Sequence, residues 1–137
     1  MSRSQTQTGP TLGAPEWAGD FLNREHLIPG GAKVNAADAG FVADSAGRKP
    51  IPAGTVIART IAERDASTGF GPAADTDPAS ETYIVAFDVT DANDINDVEL
   101  YRPNSIVKEN FLPGWGALSA AVKALVRARY LCTRGAE

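Results

Sequence analysis

Residues 82–89 read TYIVAFDV, the strongest strand signal in the chain. The run mixes β-branched and aromatic side chains with almost no polar interruption, so it predicts a strand buried on both faces. Working outward, DANDIND (91–97) is an acidic turn, Val98 to Arg102 a second strand, Pro103-Asn104 a break and Ser105 to Val107 a short strand. Upstream, Pro52-Ala53-Gly54 is a turn that launches Gly54 to Ile61, in which Val56, Ala58 and Thr60 alternate with Ile57, Arg59 and Ile61. That partial alternation predicts a strand with two different faces. Phe41-Val42-Ala43 is a candidate short strand closed by the polar loop 44–49, and Pro29-Gly30-Gly31 is a turn. Gly69, Gly71, Pro72 and Pro78 make Arg64 to Ser80 read as a long surface loop.

Pro113-Gly114 breaks the chain before its only convincing helix, Ala117 to about Leu131. Leu118, Ala121, Val122, Leu125 and Ala128 recur at helical spacing, with Lys123 and Arg127 off that stripe. Arg127, Arg129 and Arg134 suit the negative end of the helix dipole, and Gly135 can terminate it. The expected fold class is therefore mainly β with a C-terminal α-helix, an α+β domain spanning residues 17–137. Ahead of it, residues 1–16 are small and polar and are punctuated by Gly9, Pro10, Gly13 and Pro15. Too few apolar groups lie there to offset the entropy of ordering, so an extended, flexible N-terminal arm is expected. Trp17 and Phe21 are the first large apolar side chains and mark the root of the folded body.

Composition narrows the function classes. A chain of 137 residues, 43% apolar and 22% charged, is an ordinary globular composition of single-domain size. A net charge of −4 argues against nucleic acid as a partner, since phosphate binding needs an excess of clustered cations. No apolar run approaches the about 18 residues of a membrane span, and Met1 to Gly9 has no apolar core, so neither a membrane segment nor a signal peptide is expected. A single cysteine, Cys132, excludes an internal disulfide. The bounds are those of a soluble protein made in the cytoplasm.

Catalytic chemistry finds little to work with. His26 is the only histidine and cannot build a two-histidine metal site; no HExxH or CxxC spacing occurs. Cys132 reads as a small buried apolar residue, because nothing near it in sequence would stabilise a thiolate. The carboxylates Asp88, Asp91, Asp94, Asp97 and Glu99 invite a calcium loop, but the register fails. Counting from Asp91, position five is Ile95 and position six is Asn96 instead of Gly. A solvated, Asx-rich turn is the simpler reading. Gly69-Phe70-Gly71 is followed by neither a basic residue nor a helix start, so it is no phosphate loop. No enzyme, no metal and no cofactor are expected.

Two segments carry a resemblance. IPAGTVIARTI (51–61) resembles the Ala-Gly-Thr-Val strand of phage head decoration proteins of the lambda D-like family. VKENFLPGWGALSAAVKALVRARYLC (107–132) resembles that family's ending: a Glu-Asn pair (Glu109-Asn110), an apolar turn (Phe111-Leu112), a glycine stretch (Gly114-Trp115-Gly116), an Ala-rich helix and an Arg-aromatic close (Arg129-Tyr130). Tyr83 to Val89 running into Asp91 and Asp94 fits the same pattern, as does Ala18-Gly19-Asp20-Phe21 at the start of the body. The likeness spans roughly residues 18 to 132; it departs at the long 64–80 loop and at the bulkier Pro113-Gly114-Trp115 turn.

Membership would imply a small β-tulip-like domain with an extended N-terminal arm, sitting on the virion as a homo-trimer or dimer. It would be a capsid decoration (cement) protein on the outer surface of the phage head, bound to the major capsid protein and stabilising the head against internal DNA pressure. The arm would order by pairing with the capsid protein, making Thr8, Thr11, Leu12, Trp17 and Phe21 the expected capsid-binding residues. Plain core packing is the alternative for Trp17 and Phe21. The rival readings are another virion component, such as a head fibre base or tail part, or a small ligand-binding or hydrolytic β-domain.

Overall fold

A computed structural model describes residues 17–18, 27–29, 31–37, 40–73, 81–94 and 97–134. Its elements, in chain order, are β1 (Ala32–Lys33), β2 (Val56–Arg59), α1 (Ile61–Asp65), β3 (Gly71–Pro72), β4 (Glu81–Ile84), β5 (Asp97–Val98), β6 (Ile106–Lys108), α2 (Ala120–Arg129) and β7 (Leu131–Thr133). Single 3-10 turns lie at Ala92–Asp94, Glu109–Phe111 and Trp115–Ala117. The protein is a small α+β domain with three small sheets and a C-terminal helix: β1–β5, β3–β2–β4 and β6–β7. The first two are antiparallel and the third is parallel.

β2 and β4 are the spine. Their ladder pairs Val56 with Ile84 and Ala58 with Thr82 on one face, Ile57 with Tyr83 on the other. Because successive side chains alternate, this one ladder separates two cores. Val56, Ala58 and Ile84 join Trp17, Tyr101, Val107, Val122, Val126 and Tyr130. Ile57 and Val85 join Val34, Phe41, Ile51, Phe70 and Leu100. The expected alternation of residues 56–59 holds, and Thr82, Ile84 and Ala86 on one face and Val85 on the other are buried as expected, with Tyr83 half-buried. The run is shorter as a strand than expected. Beyond Ile84 it continues only as bridges, Val85 to Leu100 and Ile51 to Val89, and Phe87 is 45% exposed.

Four expectations need correction. Residues 41–43 form no strand: Phe41 is buried but Val42 is 76% exposed, and Asp44 closes a loop by accepting from Ala46 N and Arg48 N. The expected loop 64–80 contains the end of α1 and then β3, and its residues 74–80 lie outside the described residues. α1 begins at a capping box in which Thr60 and Glu63 bond each other's backbone N–H, the Thr-x-x-Glu signature of a helix start. α2 is shorter than expected at both ends, because Trp115–Ala117 makes its own 3-10 turn and Ser119 caps the helix through Val122 N. Its inward line also differs: Val122 and Val126 are buried, whereas Ala121 and Ala128 are exposed. Fourth, the chain does not stop after the helix; Tyr130 turns extended and β7 pairs with β6. Gly135 lies outside the described residues.

Candidate functional site

The body is entered at Trp17. Its indole is 4% exposed and meets Tyr101 edge-on at 5.2 Å, and Tyr101 in turn stacks on Tyr130 at 5.7 Å. Gly54, at φ +90°, lets the chain pass against it: a Cβ there would stand 2.8 Å from Trp17 Nε1. The backbone is tied as well. Lys108 N donates to Trp17 O at 2.7 Å, and Ala18 bridges Val107. Of the five expected capsid-binding residues, Trp17 is thus core, packed against the first cluster. Thr8, Thr11, Leu12 and Phe21 lie outside the described residues, as does His26.

On the other side of β6 the resemblance-bearing tail closes on itself. Glu109 is the one charged residue buried in this region, and Arg127 grips it with two hydrogen bonds, Nε to Oε2 at 2.9 Å and Nη2 to Oε1 at 2.8 Å. That pairing holds the Glu109 carboxyl below its ordinary value and the guanidinium above its own. The cation also lies over Trp115 at 5.5 Å, with Lys123 over the same ring at 5.7 Å. Cys132 is half-buried against the first core, and burial, with the Glu109 carboxylate beside it, pushes the thiol up to about 11. That disfavours the thiolate a nucleophile requires.

The acidic turn is held by backbone N–H groups, its own and those of the 49–53 segment. Asp91 Oδ1 accepts from Lys49 N at 3.1 Å and from Asn93 N at 3.0 Å, which keeps its carboxyl low, and Asp88 Oδ1 accepts from Ala53 N at 2.6 Å. This is the Asx turn expected from the sequence. Among the described residues no group of three or more His, Cys, Asp or Glu is placed to hold a metal ion.

One cleft, of about 300 Å³, opens between β1 and β4. Two of its charged groups are engaged with each other: Arg59 donates to Glu81 at 2.9 Å and to Thr68 O at 3.0 Å, and its guanidinium lies 4.4 Å over Phe70. A ligand entering there would have to displace a well-made ion pair.

What the sequence reading missed is the outer face of β6–β7. Ile106 and Leu131 are register partners and both stand out to solvent, at 47% and 57% exposure. Their signal was the β-prone Tyr-Leu-Cys-Thr after the last helical arginine, read instead as helix end. No protein-family model, curated protein or solved structure matches this chain. No helix among the described residues is long and apolar enough to cross a membrane.

Proposed function

We propose that this chain is a capsid decoration protein: a non-catalytic cement that sits on the outer surface of a phage head, binds the major capsid protein and resists internal pressure. One observation carries the reading. The stretch that resembles the decoration family, residues 107–132, folds as one continuous unit of β6, two 3-10 turns, α2 and the start of β7, and its first strand holds the root of the N-terminal segment through Trp17 and Ala18. Residues 1–16 therefore depart from a point fixed in the core. A polar segment anchored in this way suits strand addition to a partner, where backbone hydrogen bonds supply affinity and the body supplies position. Assembly as a trimer or dimer would multiply weak arms through effective concentration.

The experiment adds purified protein to expanded, undecorated heads and measures occupancy by sedimentation and electron microscopy. Saturable binding at symmetry-related positions is expected, and heads so treated should resist rupture. Removing residues 1–15 should leave the melting temperature intact and abolish most of the binding. Unchanged binding by the truncated protein would refute the arm mechanism, and failure of the full chain to bind heads would refute the decoration reading.

A further inference from the structure

We infer that the outer edge of β7 is a docking site for an extended, acidic segment of another protein, added as a further strand. The first observation is charge. Residues 102–134 hold Arg102, Lys108, Lys123, Arg127, Arg129 and Arg134 against the single carboxylate of Glu109, a net of +5. The chain as a whole sums to −4, so all other residues together hold −9. The overall acidity hides a basic C-terminal unit, and a field of that size selects an anionic partner.

The second observation is an edge. Leu131 N donates to Ser105 O at 3.0 Å, so the backbone groups of Leu131 face β6. Backbone groups alternate along a strand, and those of Cys132 therefore point away from β6; among the described residues no strand pairs with them. The edge is short, but it is flanked by apolar surface and by cations. Leu131 and Ile106 stand on the outer face with Lys108 beside Thr133. On the inner face Arg127 lies near Cys132, and Arg134 acts on the same Glu109 carboxylate. A strand laid along β7 with acidic and apolar side chains alternating would meet both kinds of surface.

Two other occupants fit less well. Residues 1–15 of this chain contain Arg3 and no acidic residue, so they are not complementary. A second copy offers acids, but its acid-bearing strands are engaged: β5 pairs with β1, Glu99 O and Leu100 O accept from Ala86 N and Ile28 N, and on β4 Glu81 is held by Arg59 while Ile84 O accepts from Tyr101 N. The inference does not depend on the decoration reading.

The test uses the full chain and a fluorescein-labelled ten-residue peptide alternating Glu with Val and Thr, beside its Lys-for-Glu counterpart. The acidic peptide should bind saturably by fluorescence anisotropy, its affinity falling roughly tenfold between 50 and 500 mM NaCl. The double variant Leu131→Glu, Thr133→Glu changes two exposed side chains, and it should keep the wild-type melting temperature while binding at least about tenfold more weakly, like charges now facing the peptide. Equal binding of the Lys peptide, no binding of the acidic one, or full binding by the variant would overturn the inference. So would wild-type self-association that the double variant abolishes, or tighter binding of a 20-base-pair DNA duplex lost in the same variant; these reassign the edge to a second copy or to nucleic acid.

Discussion

Replacing Tyr130 by Phe tests how the helix is locked to the sheet. Tyr130 follows α2 directly, is buried, and its hydroxyl does two things: it donates to Tyr101 O at 2.7 Å and accepts from Ile84 N at 3.2 Å. The phenyl ring would keep the stacking on Tyr101, so the substitution removes two buried hydrogen bonds and almost no apolar contact. Ile84 is wholly buried in β4, and its N–H would lose its acceptor with no water to replace it. An orphaned buried donor costs about 1–3 kcal/mol, and the bond to Tyr101 O adds about 1 kcal/mol, so a loss of about 2–4 kcal/mol is expected. In a domain of this size that lowers the melting temperature by roughly 10 °C. Tyr101→Phe is the control. It loses the bond to Ile106 O at 2.8 Å, beside an exposed residue, for a cost of about 1 kcal/mol. Urea unfolding followed by tryptophan fluorescence reads both variants, with Trp17 edge-on to Tyr101 as a local reporter. pH gives a second reading. Burial raises the Tyr130 phenol above its ordinary 10.0, so its contribution is fully present below pH 10 and is lost as pH rises toward the folded value. The gap between wild type and Tyr130→Phe should therefore narrow above pH 10. A Tyr130→Phe protein within 0.5 kcal/mol of wild type, or one less affected than Tyr101→Phe, would refute the argument.

Thr82→Val should stabilise the protein by about 1 kcal/mol in the same urea assay, because the Thr82 hydroxyl is buried without a hydrogen-bond partner and a methyl group would suit its site better. Glu109→Gln should destabilise at pH 7 and flatten the acid limb of the stability curve. The Glu109 carboxyl is held below its ordinary 4.5 chiefly by Arg127, so its stabilisation is present above pH 4.5 and is lost as pH falls through the folded value. Identical acid limbs in wild type and Glu109→Gln, measured by circular dichroism, would show that the clamp adds nothing.

The parts of the fold legible in the sequence are those set by local pattern. The alternation of Val56 to Arg59 after a Gly54 turn, the dense run at 82–86 and the Asx turn at Asp91 each depend on neighbours within a few residues. The errors fall where distant pairing decides. β7 exists because Leu131 meets Ile106, 25 positions earlier, and nothing local distinguishes Leu-Cys-Thr from a frayed helix end. The helix stripe holds at Leu118, Val122 and Leu125, which are buried or half-buried, but Ala121 and Ala128 are exposed, and Val126 joins Val122 in the first core. Charge shows a different limit of pattern reading. A whole-chain sum of −4 averages a basic unit with an acidic remainder, and only a sum by segment reveals either.

β6 holds both ends of the described chain. Ala18 bridges Val107 on one edge, β7 pairs along the other, and the Val107 side chain between them is fully buried. A pull on residues 1–16 would reach the body first at the bond from Lys108 N to Trp17 O, then pass through Glu109, the next residue, to Arg127 and so to α2. The clamp thus lies on the path between the N-terminal root and the helix that covers the first core. On the decoration reading, where load comes from a capsid under pressure, a buried carboxylate is useful at that place for a physical reason. A bidentate Arg–carboxylate pair resists sliding in the plane of the two groups, whereas an apolar contact of equal area permits it. Position matters for the same reason: Glu109 opens the 3-10 turn just past β6, and a carboxylate one residue earlier, on the extended Lys108, would face the opposite side of the sheet from Arg127.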